Sequence, residues 1–295
     1  MKTLVVGATG LVGFEVCRRL RAEGQAVRAL VRSTSDPEKR ATLERIGSEL
    51  VEGDLKDPGS LARACTGVQC VVSTASSTLS RQSGDSIESV DERGQLSLVE
   101  AARRAGVEHF VFVSFRETPH VQFPLSAAKR SVERAIKSSD MTYTILQASY
   151  FMEVWLSPAL GFDPANGKVR IYGDGANPIS WISFRDVARA AAAAVTEPAS
   201  RNCIVELGGP QALSPGEVVR MFEAAGAAEI VSENIPEAAL AAQLESAADS
   251  LQKSFAGLML MYAKGDAIDP AVSNRLFPFQ LTAVRDYITA QLQRA

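Results

Sequence analysis

Residues 3–13 read TLVVGATGLVG, an apolar run that drops into Gly7, Gly10 and Gly13. The stretch before the glycines reads as a buried strand, Thr3 to Gly7. The stretch from Leu11 onward has helical spacing, with Gly13, Val16, Cys17 and Leu20 on one face. The glycines therefore sit at a strand-to-helix turn. There they let the backbone take positive φ and let a phosphate approach the amides, while the helix start presents unpaired N–H donors and a partial positive charge. A tight turn without a ligand has the same composition. The strand and helix on either side, and their repetition down the chain, favour a pyrophosphate cradle.

The rhythm continues outward from this turn. Strand-like runs fall at 26–32 (AVRALVR), 48–53 (SELVEG), 69–74 (QCVVST), 109–114 (HFVFVS) and 142–147 (TYTILQ). Amphipathic segments lie between them, one with Ile87, Val90, Gly94, Leu98, Ala101 and Ala105 on a single face. Asp36-Pro37 and Asp57-Pro58 each place a capping acid before a proline at the first helical position. Continuous apolar strands alternating with helices predict an α/β chain, a Rossmann-type doubly wound parallel sheet covered on both faces.

Beyond about residue 150 the alternation breaks. FDPANGKVRIYGDGANPIS is turn-rich, SFRDVARAAAAAV reads as a helix opened by a Ser183–Asp186 capping box, and NCIVELGG as a returning strand. Residues 214–263 read as mostly helical, with Ser214-Pro215-Gly216-Glu217 as a further capping box, and a last helix is expected over 281–293. The expected organisation is a dinucleotide-binding domain over residues 1–149 and a smaller, mostly helical substrate region over residues 150–295, discontinuous, with segments returning to the sheet.

Composition narrows the function. A chain of 295 residues, 46% hydrophobic and 22% charged, is ordinary globular material with enough length for a large core. A net charge of −3 makes no electrostatic case for a nucleic-acid or anionic-membrane partner. Cys17, Cys65, Cys70 and Cys203 form no CxxC pair and have no histidine at ligand spacing, so buried thiols are expected and no metal site. Met1 and Lys2 run straight into the first strand without a signal peptide, and FAGLMLMYA is too short to span a bilayer. A cytoplasmic location is expected.

The second strand bears on cofactor choice. An NAD-type site wants an acid at that strand's end to hold the ribose hydroxyls. Here the strand ends at Arg32, followed by Ser33 and Thr34, and the first acid is Asp36, a helix cap. Arg32 offers a charged fork to a 2′-phosphate, and Lys39 on the next helix is placed to assist. NADP(H) is favoured over NAD(H), with a solvated surface arginine as the alternative reading of Arg32.

VVGATGLVG, VRALVR, EGDL and AARRAGVEHFVFVS, followed by SVERAIKSSDMTYTILQASYFME, together resemble the NmrA-like and isoflavone-reductase-like group of atypical short-chain dehydrogenase/reductases. The likeness is close to about residue 190 and loose beyond it. It implies that the GxxGxxG turn binds the pyrophosphate of NAD(P)H through Gly7, Thr9, Gly10, Leu11, Val12 and Gly13. It further implies adenine contacts at Asp54 and Leu55, and a loop along the cofactor at Ser73, Thr74 and Ala75. Typical short-chain dehydrogenases use a serine and a Tyr-x-x-x-Lys pair, the lysine holding the nicotinamide ribose and lowering the tyrosine pKa. Ser114 and Lys129 fit this pattern, but Leu125 stands where the tyrosine would be and has no proton to give. Isoflavone-reductase-like enzymes also tend to lack the tyrosine and rely on the lysine. Glu133, four residues beyond Lys129, leaves open a plain solvated helix pair.

Ligands in doubly wound folds lie beyond the carboxyl ends of the strands. The segment after Ser114 carries Arg116 and His120, and the segment after Leu146 carries Gln147, Tyr150, Phe151 and Trp155. His120 is placed to orient or protonate a carbonyl, or is an exposed loop histidine. The aromatic residues suit a wall for a flat aromatic or quinone-like substrate, and equally suit core packing. Asp186 and FAGLMLMY are read as structural. The expected function is NADPH-dependent reduction of a small hydrophobic carbonyl, quinone or conjugated substrate, with Lys129 fixing the ribose and Ser114 or His120 polarising the acceptor. The alternative is a non-catalytic NADP(H)-sensing regulatory or assembly protein, which Leu125 favours. A sugar-nucleotide epimerase is disfavoured, because such relatives keep the tyrosine. Self-association as a homodimer and a regulatory protein partner both stay open.

Overall fold

The computed structural model describes residues 1–79, 81–118, 121–226 and 229–293. Each apolar run of the first half forms a strand followed by a helix: β1 (Lys2–Val6), α1 (Leu11–Ala22), β2 (Ala26–Val31), α2 (Pro37–Arg45), β3 (Glu49–Glu52) and α3 (Pro58–Cys65). Next come β4 (Cys70–Ser73), a π-helix (Ile87–Gly94) leading into α4 (Gln95–Arg104), β5 (His109–Ser114), α5 (Pro124–Lys137) and β6 (Thr142–Ala148). The later chain adds α6 (Met152–Trp155), β7 (Phe162–Asp163), β8 (Lys168–Tyr172), α7 (Phe184–Thr196) and β9 (Cys203–Leu207). It ends with α8 (Pro215–Ala224), β10 (Val231–Ile235), α9 (Glu237–Ser246), α10 (Ser250–Lys264), α11 (Ala271–Leu276) and α12 (Val284–Leu292).

The central sheet has seven strands in the order β3-β2-β1-β4-β5-β6-β9, with β1 to β6 paired in parallel. The expected Rossmann-type sheet forms. Both its faces are buried: Leu4 and Val6 join a core with Leu61, Leu98 and Val132, while Val5, pointing the other way, is equally enclosed. Each such side chain contributes roughly 2 kcal/mol of apolar burial. The strand order reverses at β1, since the chain moves outward through β2 and β3 and then returns to β4 on the other side. The carboxyl ends of β1 and β4 therefore flank the switch point at which such sheets bind ligands.

The described chain divides into two units, one of Met1–Phe115, Pro124–Gln147 and Val187–Val205, the other of Arg116–Phe123, Ala148–Asp186 and Glu206–Ala295. The second unit contains the small sheet β10-β8-β7, with β8 parallel to β10 and antiparallel to β7. Its α8 opens on the expected capping box, Ser214 N–H donating to Glu217 Oε2 (2.7 Å) and Glu217 N–H to Ser214 Oγ (3.2 Å). Asp186 has a structural contact of its own, its Oδ2 accepting from the Thr282 N–H (2.7 Å).

Three expectations are corrected. β10 lies within the stretch expected to be mostly helical; four of its five residues are exposed, so it carries no apolar alternation to mark it as a strand. Residues 87–94 wind as a π-helix, whose extra residue per turn shifts the inward stripe to take in Asp91, and Ala105 ends up in solvent. Cys203 is half-exposed, whereas Cys17, Cys65 and Cys70 are buried as expected.

Candidate active site

The glycine turn separates two roles. Gly7 has φ +86°, and a Cβ there would lie 2.7 Å from Thr74 Oγ1 and 2.8 Å from the Ala75 nitrogen. A Cβ on Gly13 would stand 2.2 Å from the Gly7 carbonyl oxygen. Both glycines are required by the chain itself, one for its backbone and the segment that follows β4, the other for the close approach of α1 to the turn. Gly10 is different: a Cβ there would meet only the Gly7 oxygen, at 3.2 Å, with open space otherwise. Gly10 is also the N-cap of α1, with no side chain capping the helix and no acid in its first turn. Beside it Leu11 is 46% exposed, an unusual position for a large apolar side chain, while Val12 is buried. The Gly10 N–H itself donates to the Gly7 carbonyl (2.9 Å), but a helix start without a side-chain cap, its positive end and a free face fit a pyrophosphate.

Around the cradle, Lys39 Nζ donates to the Thr9 carbonyl (2.9 Å). The Thr74 N–H and hydroxyl both donate to the Val6 carbonyl (3.0 and 3.2 Å). Ser73 is fully buried and its hydroxyl donates to Gln95 Oε1 (2.8 Å), while Gln95 Nε2 donates to the Ala75 carbonyl (3.0 Å). Gln95 thus fixes the end of β4 and the segment after it. Asp54 Oδ1 accepts from the Lys56 N–H (2.8 Å), and the buried Leu55 packs where a Cβ on Gly94 would come within 2.8 Å of it.

Arg32, at the end of β2, is held by an acid that the sequence did not point to. Its Nη1 donates to Asp85 Oδ2 (2.6 Å), and Lys56 Nζ donates to Asp85 Oδ1 (2.5 Å). The Gln82 N–H adds a third bond to Oδ2 (2.9 Å). Burial pushes the Asp85 carboxyl up, but the bonds from Lys56 and Arg32 outweigh it and leave the pKa below the usual range. Arg32 and Asp85 are 53 positions apart, and no local pattern links them.

A second cluster sits on α5. Its inward stripe runs through Leu125, Ala128, Lys129, Val132, Glu133 and Ile136. Lys129 is 6% exposed; its Nζ donates to the Val113 carbonyl (3.1 Å) and lies 4.7 Å from the centre of the Phe112 ring. Burial lowers its pKa, opposed by the charges of Asp91 and Glu133. The solvated Lys129–Glu133 pair is not what forms, since both side chains are buried. Glu133 Oε1 instead accepts from Arg130 Nη2 (2.7 Å) and Gln147 Nε2 (3.1 Å). The same Arg130 nitrogen donates to Ser114 Oγ (2.9 Å) and to the Phe115 carbonyl (2.5 Å). Ser114, Arg130, Glu133 and Gln147 are therefore one network. Arg130 went unnoticed in the sequence, although Glu133 three positions on was a usable signal.

Asp91, on the π-helix, is wholly buried. Its Oδ2 accepts from the Ser77 N–H (3.0 Å) and hydroxyl (2.6 Å), and its Oδ1 has no hydrogen-bond partner among the described residues. Leu125 is 3% exposed and belongs to the core.

In the second unit, Arg116 donates through Nε and Nη2 to Asp266 Oδ1 (3.0 and 2.6 Å). Tyr150 and Trp155 belong to an aromatic cluster with Tyr172, Trp181 and Tyr262, with ring centres 4.8–6.3 Å apart. The Tyr150 hydroxyl donates to the Leu258 carbonyl (3.0 Å), and burial raises its pKa well above the ordinary value. Phe151 is half-buried at the start of α6. His120 lies outside the described residues. Burial pushes the Cys17 and Cys70 thiols up to about 12, which leaves them inert as nucleophiles. Among the described residues no group of three or more His, Cys, Asp or Glu is arranged to hold a metal. No described helix is long and apolar enough to cross a membrane.

A parallel sheet in this order, with a bare glycine turn at its switch point, defines a Rossmann dinucleotide-binding protein. More narrowly, the chain belongs to the NmrA-like family, which it matches over residues 1–288. It is 35% identical over 216 residues to a (4-alkanoyl-5-oxo-2,5-dihydrofuran-3-yl)methyl phosphate reductase of Streptomyces griseus, covering 72% of this chain and 70% of the relative. It is 31% identical over 227 residues to the photosystem II assembly factor Ycf39 of Synechocystis, covering 76% of this chain and 67% of that one. In structure it is similar to an NADPH-dependent quinone oxidoreductase of Escherichia coli complexed with NADPH. That match has a TM-score of 0.79 at 21% identity and covers 99% of this chain and 100% of that one.

Proposed function

We propose that this protein is an NADPH-dependent reductase of small hydrophobic carbonyl, quinone or conjugated acceptors. The observation that carries this is the open face of Gly10 at the uncapped start of α1. Thr9, Gly10, Leu11 and Val12 receive the pyrophosphate, Asp54 and Leu55 the adenine, and Ser73, Thr74 and Ala75 lie along the cofactor. Arg32 and Lys39 meet the 2′-phosphate. When bound, the nicotinamide supplies the hydride. Lys129 holds the ribose hydroxyls through its ammonium group. Ser114 accepts a bond from the Arg130 guanidinium, which polarises its own O–H as a donor to the acceptor's oxygen. His120 is a second candidate for that role, and Arg116, Gln147, Tyr150, Phe151 and Trp155 are the candidate substrate contacts.

Leu125 bears on the acceptor class. With no phenol at that position, acceptors whose reduced anion is delocalised, and is then protonated from water, suit the chain better than simple ketones. Three buried, unpaired thiols suit the reducing cytoplasm. Purified protein with NADPH and a panel of quinones, enones and aldehydes, followed at 340 nm, tests the proposal. Turnover on the conjugated members is expected.

Leu125, buried in the core where a proton donor would stand, favours a second reading: a dinucleotide-sensing assembly or regulatory protein. Tight NADPH binding without turnover on any acceptor would establish it over the first.

A further inference from the structure

We infer that Asp85 sets cofactor specificity: its carboxylate occupies the space between Arg32 and Lys56 that a 2′-phosphate would take, so NADPH has to displace it. The inference rests on the proposed role of Arg32 and deepens it.

Both Asp85 oxygens are committed, one to Arg32 Nη1 (2.6 Å) and the Gln82 N–H (2.9 Å), the other to Lys56 Nζ (2.5 Å). The side chain is 2% exposed, whereas those of Arg32 and Lys56 are 26% and 30% exposed. An anion enclosed by two cations that remain open to solvent is the arrangement a phosphate site adopts when filled, here filled by the chain's own acid. A phosphate brings up to two negative charges and three acceptor oxygens to donors that now serve one charge and two oxygens. It therefore competes for them, but it cannot sit beside the carboxylate, because like charges a few ångströms apart oppose one another. NADH has no such group and leaves the trio intact. Asp85 thus does from another loop what an acid at the end of β2 does in NAD-type sites: it lowers the preference for the phosphorylated cofactor. Arg32 alone would give a stricter NADPH protein than this one.

Calorimetric titration of the full chain with adenosine 2′,5′-bisphosphate and with 5′-AMP isolates the 2′-phosphate without any turnover. Asp85→Asn is expected to tighten the bisphosphate about tenfold while AMP stays within about twofold. AMP binding also serves as the folding check; if Asp85→Asn loses it, Asp85→Ser takes its place. An unchanged or weakened bisphosphate-to-AMP ratio, with Arg32→Ala still lowering that ratio, overturns the inference alone and leaves Asp85 as a support for Arg32. If Arg32→Ala does not move the ratio, the proposed 2′-phosphate site falls and this inference falls with it.

Discussion

Lys129 is a buried ammonium whose charge has to be balanced from nearby. Asp91, whose Oδ1 has no hydrogen-bond partner among the described residues, is the larger counter-charge for Lys129, and Glu133, already bonded to Arg130, is the smaller. Burial lowers the lysine pKa and Asp91 holds it up, so Asp91→Asn should lower it further. The ammonium then loses its proton at a lower pH than in the wild type. NMR titration of the lysine side chains reads this directly, and an identical Lys129 titration in the variant would disprove the coupling. Any turnover should lose its basic limb in the same direction. Arg32→Ala removes a charged fork worth about 1.5–3 kcal/mol, so NADPH should weaken roughly tenfold or more while NADH changes little. Equal loss for both cofactors would rule out a 2′-phosphate contact. Arg32, Ser114 and Lys129 could be singled out as candidates from the sequence because each occupies a fixed station on a strand end or helix. Asp85, Asp91 and Arg130 could not, because tertiary contacts alone give them their partners.

At the strand-to-helix turn, glycines that look alike in sequence should behave differently when changed. Gly13→Ala forces a methyl against the Gly7 carbonyl and should destabilise the protein by about 1–3 kcal/mol, read as a lower urea midpoint. Gly10→Ala costs about 0.5–1 kcal/mol as a cap exchange, less than the Gly13 change, and places a methyl on the face proposed for the phosphates. It should stay folded with a smaller loss of urea midpoint than Gly13→Ala and lose dinucleotide affinity; full affinity in this variant would mean that Gly10 does not face the cofactor. The inner parallel strands β1, β4 and β5 were readable because both their faces are buried and their apolar runs are nearly unbroken, whereas the edge strand β3, ELVE, was marked by its place in the alternation. The π-helix was not, since one extra residue per turn leaves composition untouched while moving Asp91 inward. β10 escaped because an exposed strand has no apolar period.

For the molecule as a whole, acid stability should bear the mark of one histidine. His109 is 2% exposed, with its ring nitrogens 2.9 and 3.2 Å from the hydroxyls of Thr142 and Thr144. Burial, seconded by the charge of Arg201, pushes its pKa from 6.5 down to about 4. The folded chain keeps the ring neutral while the unfolded chain takes up a proton. Stability that is complete above the unfolded pKa is therefore lost as pH falls toward the folded one, by up to ~3 kcal/mol. His109→Gln should flatten the fall of the urea midpoint across that window; an unaltered slope would assign the acid sensitivity to other groups.

β10 closes one edge of the small sheet, and its exposed residues spell Val231, Ser232, Glu233 and Asn234. A free strand edge invites a strand from another molecule, and charge on a short edge is what discourages it. Glu233, paired across the sheet with Arg170 at 3.2 Å, supplies that charge. Replacing it with valine would put a second large apolar side chain on an edge where Val231 is already 71% exposed. The expected result is concentration-dependent light scattering at unchanged fold, and a variant that scatters no more than the wild type would show that Glu233 has no part in keeping copies apart.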